Sequence, residues 1–245
     1  MSKKDLIVDV KGFGMDFAGK TVIKELSFDV RKGEIFGLLG SNGSGKTTTI
    51  RALLGLYEPT RGELLLDGEK FRPDGRVKVG YLPEDRGLYK KESVIDVMVY
   101  FGRLKGMRDV WKWSMEYLER VGLSDLAGSK IDKLSNGQHQ KVQLGLCVMN
   151  DPDLLILDEP TKGFDPVNRR LLMEIIDEQH ARGATILMIT HFMEDVERLC
   201  DRALLLKDGK ARAYGTIKEI RKQFGGISLD DVFVKVYNEQ GERYA

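Results

Sequence analysis

The sequence has 245 residues, of which 42% are hydrophobic and 31% are charged. That length suits one large α/β domain or a core with a subdomain, and the composition excludes a disordered chain. The sequence has 39 Lys and Arg residues and 38 Asp and Glu residues, so its net charge is +1. Because the chain is not strongly basic, we expect no nucleic-acid partner. The two cysteines exclude a disulfide framework and favour a reducing compartment. The longest apolar runs fall far short of the ~20 residues that cross a bilayer, so any association with a membrane needs a partner.

The first predicted elements are strands. Residues 7–10 and 26–30 alternate apolar and polar side chains, which predicts antiparallel strands with one solvent-exposed face. Residues 34–39 then form a continuous apolar run that ends in Gly40, and a helical pattern follows over residues 47–56. A strand, a glycine-rich loop and a helix are therefore predicted in that order.

The middle of the chain has helical spacing without strand alternation. The three segments with this spacing are residues 93–105, 110–121 and 138–148. They predict an all-helical insert.

Strand and helix alternate again after this insert. Buried strands are predicted over residues 153–157 and 184–190, with a helix over residues 168–180 between them. This alternation implies a parallel sheet that binds ligands at the carboxyl ends of its strands. The tail has a short helix at residues 217–224, and then an apolar helical face that packs on the domain or is presented to a partner.

We therefore predict a single α/β domain over residues 1–245. Its catalytic core, with a parallel sheet and an N-terminal antiparallel β part, comprises residues 1–85 and 151–225. The helical subdomain occupies residues 86–150, and residues 226–245 form a C-terminal helical tail.

A phosphate-binding loop follows the first apolar run. The residues from Gly40 to Thr47 match G-x-x-x-x-G-K-[ST] between a predicted strand and a predicted helix. In such a loop the backbone N–H groups curl round a β-phosphate. We expect Lys46 to bridge the β- and γ-phosphates and the Thr47 hydroxyl to ligate Mg²⁺. The predicted nucleotide-binding residues are Gly40, Ser41, Asn42, Gly43, Ser44, Gly45, Lys46, Thr47 and Thr48. The sequence has no Asn-Lys-x-Asp guanine-binding motif, which favours ATP.

Two carboxylates end the apolar run at residues 154–157. Because successive strand residues point to opposite sides, we expect Asp158 and Glu159 to have different tasks. Asp158 suits the Mg²⁺ shell, and Glu159 suits the attacking water as a general base.

A third motif stands at the start of the last helix of the insert, where residues 134–138 are Leu-Ser-Asn-Gly-Gln. With the two motifs above, it resembles the signature of the ATP-binding-cassette (ABC) ATPases, and the similarity extends over nearly the whole chain. The resemblance implies the ABC ATPase fold, a P-loop NTPase parallel-sheet core with an N-terminal antiparallel β subdomain and an α-helical subdomain.

Three further residues take expected roles from this resemblance. Phe17 stands where the family places an aromatic ring against adenine, and ordinary packing is the alternative. Asp165 matches the D-loop of the family. His191 matches the switch histidine that senses the γ-phosphate, and a surface histidine is the alternative.

The resemblance also implies a head-to-tail dimer that closes over two ATP molecules. Each ATP is held by the phosphate loop of one chain and by Ser135, Gly137 and Gln138 of the other. We expect two identical chains, although pairing with a different cassette chain is possible. Lys46, Glu159 and His191 are the catalytic residues that this arrangement implies.

Two positions depart from the family pattern. Glu84 stands where most members have a glutamine that touches Mg²⁺ and water. A carboxylate can ligate Mg²⁺ in its place, alongside Thr47 and Asp158, but it adds negative charge beside the phosphates. Asn136 replaces the second glycine of the signature, and Asn tolerates a left-handed φ.

The segments 80–89 and 228–234 resemble the branch of the family that serves two-component sodium and drug exporters. The resemblance implies an ATP-hydrolysing subunit that drives export through transmembrane permease subunits on separate chains. Such a subunit is cytoplasmic and lies on the inner face of the cell membrane, with residues 85–101 as the expected permease contact. A soluble ATPase that works as a clamp or assembly factor is the main alternative, and a P-loop kinase is a weaker one.

Other side chains are interpreted as structural. We expect His139 to be exposed to solvent on its helix. Cys147 and Cys200 suit small buried apolar groups. Trp111 and Trp113 are two residues apart on a predicted helix, which favours amphipathic packing over a binding box.

Overall fold

The computed structural model describes residues 5–84, 87–162 and 164–238. The chain divides into two compact units. The first unit comprises Met1–Val77 and Thr185–Ala245, and the second comprises Lys78–Ala184.

The described part of the chain contains strands and helices in alternation. The strands are β1 (Leu6–Phe17), β2 (Lys20–Arg31), β3 (Ile35–Leu39), β4 (Arg61–Leu66), β5 (Val79–Leu82), β6 (Leu154–Asp158), β7 (Thr185–Thr190), β8 (Arg202–Lys207) and β9 (Lys210–Thr216). The helices are α1 (Lys46–Leu53), α2 (Val94–Leu104), α3 (Val110–Arg120), α4 (Asn136–Val148), α5 (Pro166–Ala181), α6 (Met193–Leu199), α7 (Ile217–Gln223) and α8 (Leu229–Asn238).

The first unit contains an antiparallel part and a parallel part of one sheet. Its strand order is β4-β1-β2-β9-β8-β3-β7. Strand β1 runs antiparallel to β2 and β4, whereas β3 runs parallel to both β7 and β8. The predicted antiparallel N-terminal strands and the buried strands predicted over residues 34–39 and 184–190 are thus confirmed. Every residue of β3 and β7 is buried, as expected for parallel strands with both faces covered.

The second unit carries the predicted helical segments. Strands β5 and β6 pair in parallel, and α4 packs close to β5. A Cβ added at Gly80 would lie 2.2 Å from the carbonyl oxygen of Cys147, so only glycine allows α4 this close. The helices predicted at 93–105, 110–121 and 138–148 are found as α2, α3 and α4. The segment 86–150 proposed as a helical subdomain falls within this unit, which also contains β5, β6 and α5.

The first helix is shorter than the sequence pattern predicts. We expected a helix over residues 47–56, but α1 ends at Leu53. Gly55 follows with φ of 66°, a left-handed conformation that stops a helix. The Leu56 side chain beyond it is 64% exposed and does not continue the apolar face.

The tail helix α8 packs on the first unit, which is one of the two alternatives that its apolar face allowed. Its buried side chains are Leu229, Val232, Val236 and Tyr237. The Leu229 N–H group also donates to Glu197 Oε1 at 2.8 Å, so α6 caps the start of α8.

One of the structural interpretations is wrong. His139 is only 8% exposed, and its Nδ1 lies 3.3 Å from Gln143 Oε1. Both residues lie on a buried face of α4, because the closely packed neighbours of this helix leave little of its surface to solvent. Cys147 and Cys200 are buried, as predicted. The Trp113 ring stacks on the Tyr117 ring at 5.4 Å, whereas Trp111 is 63% exposed.

Candidate functional site

The phosphate loop, residues 40–47, connects β3 to α1. Gly45 caps α1 with φ of 109°, and a Cβ added there would lie 2.3 Å from Ile23 Cδ1. Lys46 is 7% exposed, and its Nζ donates to the carbonyl oxygens of Gly40 at 2.8 Å and Ser41 at 3.0 Å. The lysine at the start of the helix therefore reaches back to the start of the loop and closes it into a ring.

A buried hydroxyl lies in the same loop. Ser44 is 4% exposed, and its Oγ has no hydrogen-bond partner among the described residues. Buried polar groups without partners are rare in folded proteins, so this hydroxyl suits a ligand. The next two threonines, Thr47 and Thr48, are half-buried in the first turn of α1. Asn42 and Gly43 are exposed.

Two other predicted site residues belong to the first unit. Phe17 ends β1 and is 37% exposed, and its ring meets the Tyr57 ring in a T-shaped contact at 5.1 Å. Part of the ring packs on the protein, and the exposed part is accessible to an adenine. His191 is exposed directly after β7, with its ring centroid 4.3 Å from that of Phe192.

The acidic pair of the second unit is buried. Asp158 ends β6 and is 3% exposed, and Glu159 is 5% exposed. Glu159 has φ of 50°, so it does not continue the strand. The backbone therefore changes direction sharply between the two carboxylates. This change, and not the alternation of side chains along a strand, makes their positions differ.

Glu84 has a cationic partner that the sequence analysis missed. Lys162 Nζ lies 2.6 Å from Glu84 Oε1, and both side chains are partly exposed. The ammonium offsets the negative charge that a carboxylate brings to this position. The two residues are 78 positions apart, so no local sequence pattern predicts that they pair.

The signature loop, residues 134–138, is held by its own helix start. Ser135 Oγ accepts from the Gln138 N–H group at 3.3 Å, and Gln138 Oε1 accepts from the Ser135 N–H group at 2.8 Å. This reciprocal capping box satisfies two N–H groups at the start of α4. Asn136 is the first residue of α4 and does not have a positive φ, so tolerance of a left-handed φ is not what this position requires.

Gly137 has open space around it. A Cβ added there would meet only Phe164 Cε1, at 4.0 Å, and its φ is not positive. Among the described residues, nothing in the chain's own packing or backbone therefore requires glycine at this position.

Asp165 has a structural role that the sequence analysis did not assign. It caps α5, and its Oδ1 accepts from the N–H groups of Val167 and Asn168, each at 2.9 Å. The Asn168 N–H group, more than any other contact, holds the pKa of Asp165 below its usual value. The preceding Gly163 lies outside the described residues, as do Asp85 and Arg86 of the expected permease contact.

The model of the family described as "ABC transporter" matches residues 23–162 of the chain. The chain belongs to the ABC transporter family. It is 46% identical over 226 residues to an uncharacterized ABC transporter ATP-binding protein of Methanocaldococcus jannaschii, a match that covers 91% of this chain and 83% of that relative. It is 37% identical over 238 residues to the Nod factor export ATP-binding protein I of Bradyrhizobium diazoefficiens, with 95% and 78% covered.

The predicted ABC ATPase fold is confirmed by a solved structure. A chain described as the ATP binding subunit of an ABC transporter matches with a TM-score of 0.88 and 32% identity. The match covers 95% of this chain and 100% of that chain.

These comparisons favour the transporter ATPase over a soluble clamp or assembly factor. The family hydrolyses ATP in transporters, and the relatives have names of ATP-binding subunits, including an export protein. Within the described ranges of this ABC chain, no helix has the length and apolar character needed to span a membrane.

Proposed function

We propose that the chain binds Mg²⁺–ATP at its phosphate loop and hydrolyses it as a homodimer, driving export through permease subunits on separate chains. The observation that carries this proposal is the contrast between the two loops. Ser44, Gly45 and Lys46 of the phosphate loop are buried, and Lys46 closes the loop. Ser135 and Asn136 of the signature loop are exposed, and no packing contact among the described residues requires its Gly137.

The phosphate loop supplies groups that suit a polyphosphate. An incoming phosphate offers Lys46 a charged partner in place of the two carbonyl oxygens that it now contacts. The buried Ser44 hydroxyl gains a hydrogen-bond acceptor, and the N–H groups at the start of α1 face the phosphate with the positive end of the helix dipole. Phe17 offers an exposed ring surface to adenine.

The donor atoms proposed for Mg²⁺ are all oxygens. Thr47 offers a hydroxyl, and Asp158 and Glu84 offer carboxylates, which is the chemistry that Mg²⁺ selects. When bound, Mg²⁺ would neutralise charge on the phosphates. Lys162 beside Glu84 limits the added negative charge, so this departure from the family pattern fits an active site.

Glu159 and His191 complete the proposed chemistry. The Glu159 carboxylate accepts a proton from the water that attacks the γ-phosphate. Its left-handed backbone turns it away from the direction of β6, which supports a task different from that of Asp158. His191 is exposed at the end of a buried strand, where it can donate to a γ-phosphate oxygen.

The signature loop is proposed to bind the ATP of a second copy. The Ser135 oxygen accepts from Gln138 N–H, which leaves its own O–H as a donor for a phosphate oxygen. Gly137 has no Cβ to keep the phosphate away from the first turn of α4. Closure of the dimer excludes water and strengthens these hydrogen bonds.

An exposed group of aromatic rings supports the proposed permease contact. This aromatic patch consists of Tyr89, Tyr100 and Phe101, whose ring centroids are 5.4 to 6.1 Å apart. Tyr89 is 56% and Tyr100 49% exposed, and Lys90 is also exposed. Clustered exposed aromatic side chains are typical of protein interfaces. A permease seated here would hold the chain on the inner face of the membrane.

A Glu159→Gln variant tests the ATPase mechanism and the dimer together. Loss of the general base should lower turnover ~100-fold or more while ATP binding stays intact, so Mg²⁺–ATP should trap a dimer. Turnover, nucleotide affinity and mass in solution are measured on the purified chain. Glu174→Gln is the matched control, because Glu174 is an exposed residue of α5 whose carboxylate pairs with Arg170 one turn away. Turnover within a few-fold of the wild type would remove Glu159 from the role of base.

The trapped variant also identifies the partner. Tagged Glu159→Gln chain, loaded with Mg²⁺–ATP in detergent-solubilised native cells, should co-purify with an integral membrane protein. Tyr89→Ala with Tyr100→Ala should abolish this co-purification, whereas Trp111→Ala, which removes a more exposed ring of the same unit, should not. Recovery of soluble assembly factors instead would support the clamp or assembly function.

A further inference from the structure

The C-terminal helix contacts the phosphate loop through one tyrosine. Tyr237, in the last turn of α8, is 6% exposed. Its hydroxyl oxygen accepts from the Ser41 N–H group at 2.7 Å, and its O–H donates to the Leu206 carbonyl oxygen at 2.7 Å. We call these three residues the Tyr237 bridge. It joins the tail of the chain to a loop that lies 196 positions earlier.

A buried lysine fixes the end of α8 beside this bridge. Lys207, the last residue of β8, is 5% exposed. Its Nζ donates to the carbonyl oxygens of Val236 at 3.0 Å and of Tyr237 at 3.3 Å. The last carbonyl groups of a helix lack partners within the helix and carry its negative end, so a cation there stabilises the helix end. Tyr237 is therefore held at its backbone as well as at its hydroxyl.

The end of β8 touches the phosphate loop at two more points. A Cβ added at Gly40 would lie 2.5 Å from the Leu206 carbonyl oxygen. The Gly209 N–H group, in the turn after β8, donates to the Ser44 carbonyl oxygen at 3.2 Å. The loop thus lies against the end of β8 at Gly40 and against the turn after β8 at Ser44, and Tyr237 holds its first part at Ser41.

We propose that Tyr237 is a positioning residue of the phosphate loop. Its hydroxyl holds the Ser41 N–H group and so keeps the loop in its nucleotide-binding shape before ATP arrives. A loop that is already ordered loses less conformational freedom when it binds its ligand, which raises affinity. Tyr237 acts through the loop and does not need to touch the nucleotide. This inference rests on the proposed function, since it takes the phosphate loop to be the ATP site.

The variant Tyr237→Phe tests the bridge with the smallest change. It keeps the ring and removes one hydroxyl, which leaves the Ser41 N–H group and the Leu206 carbonyl oxygen without that partner. We expect the Kd of the purified full chain for a fluorescent ATP analogue with Mg²⁺ to rise about 5-fold.

Tyr117→Phe is the matched control. Tyr117 is also 6% exposed, and its O–H also donates to a backbone carbonyl oxygen at 2.7 Å, that of Lys141 in the second unit. The control loses the same kind of buried hydrogen bond far along the chain from the phosphate loop. Its Kd should stay within 2-fold of the wild type.

Two readouts separate positioning from general destabilisation. In steady-state hydrolysis, Tyr237→Phe should raise KM about 5-fold and leave kcat within 2-fold, because the chemical groups are unchanged. Amide hydrogen exchange should become about 5-fold faster at residues 40–45 in the nucleotide-free chain, and saturating Mg²⁺–ATP should restore slow exchange. Lys207→Met removes the cation at the end of α8. It should raise the Kd and speed up amide exchange at residues 40–45 by about 2-fold each.

Each outcome decides one claim. If the wild type binds nucleotide and Lys46→Ala does not, the proposed function stands. If Tyr237→Phe then matches Tyr117→Phe in Kd, KM and loop exchange, the positioning role is wrong. If the wild type itself does not bind the ATP analogue, the proposed function fails, and exchange at residues 40–45 still reports whether the hydroxyl orders the loop.

Discussion

The phosphate loop and the signature loop are both short glycine-containing turns that begin a helix, yet their surroundings differ. Lys46 and Ser44 of the phosphate loop are buried, and the loop is tied to β8 and α8 of its own unit. Ser135 and Asn136 of the signature loop are exposed, and Ser135 exchanges hydrogen bonds with Gln138 in the capping box of its own helix.

The two helix-start glycines show what this difference means. A Cβ at Gly45 would lie 2.3 Å from Ile23, whereas a Cβ at Gly137 would find its nearest contact at 4.0 Å. Gly45 is required by the fold of its own chain. No described residue crowds position 137, and the open space there agrees with the proposed contact to the nucleotide of a second copy.

The largest expected effect comes from Lys46→Ala. Removal of two charge-assisted hydrogen bonds to phosphate should weaken binding of Mg²⁺–ATP about 1,000-fold, which is about 4 kcal/mol. The Kd is measured by titration of a fluorescent ATP analogue into the purified chain. Lys112→Ala, at an exposed lysine of α3, should leave the Kd unchanged. Equal binding by the two variants would contradict the assignment of the phosphate loop.

Gly137→Asp addresses the other loop. A Cβ at this position has open space in its own chain, so we expect folding and nucleotide affinity of the isolated chain to be unchanged. In the closed dimer its carboxylate would face the phosphates, and turnover should fall about 100-fold.

Mixing this variant with Lys46→Ala sharpens the test. A mixed dimer places both defects in one site and leaves the other site intact. An equal mixture should therefore recover about a quarter of the wild-type turnover, because half of the dimers are mixed. No recovery would mean that the signature loop does not serve a second copy.

Alanine substitutions at Gly45 and Gly137 compare how much each glycine contributes to the stability of the chain. Gly45→Ala should lower the free energy of unfolding by about 2 kcal/mol or more, since φ of 109° is unfavourable and Ile23 must move. Gly137→Ala should change it by less than about 0.5 kcal/mol. Urea denaturation measures both, and equal losses would remove the distinction between the loops.

The smallest effect is expected at Glu84, outside both loops. Glu84→Gln should keep turnover within ~10-fold, about 1.4 kcal/mol, because the amide retains an oxygen for Mg²⁺. Loss of the exposed Lys162 contact should cost less than about 1 kcal/mol of stability. Steady-state hydrolysis checks the first expectation, and complete loss of turnover would give the carboxylate a specific catalytic task.

The sequence could predict elements whose signal is local. The apolar runs of β3, β6 and β7 and the motif at the phosphate loop depend on neighbouring residues, and the structure places them as predicted. Strand β8 escaped prediction, because its buried ends are the charged residues Arg202 and Lys207. Their partners are distant in sequence, such as Glu34, 168 positions from Arg202.

The same physical reason explains what was missed at the site. The Glu84–Lys162 pair and the Tyr237 bridge each join residues far apart in the chain. His139 was predicted to be exposed because it is a polar residue near the start of its helix, beside Gln138, whereas its burial depends on neighbouring elements. Periodicity reports which residues share a face, but it does not report what covers that face.

The backbone at Glu159 has a further consequence. A φ of 50° is disfavoured by about 1 to 2 kcal/mol for a residue such as glutamate, whereas glycine would adopt it freely. The proposed base therefore stands where the fold alone would prefer another amino acid. In engineering terms, Glu159→Gly would relieve this backbone strain but would also remove the carboxylate proposed as the base.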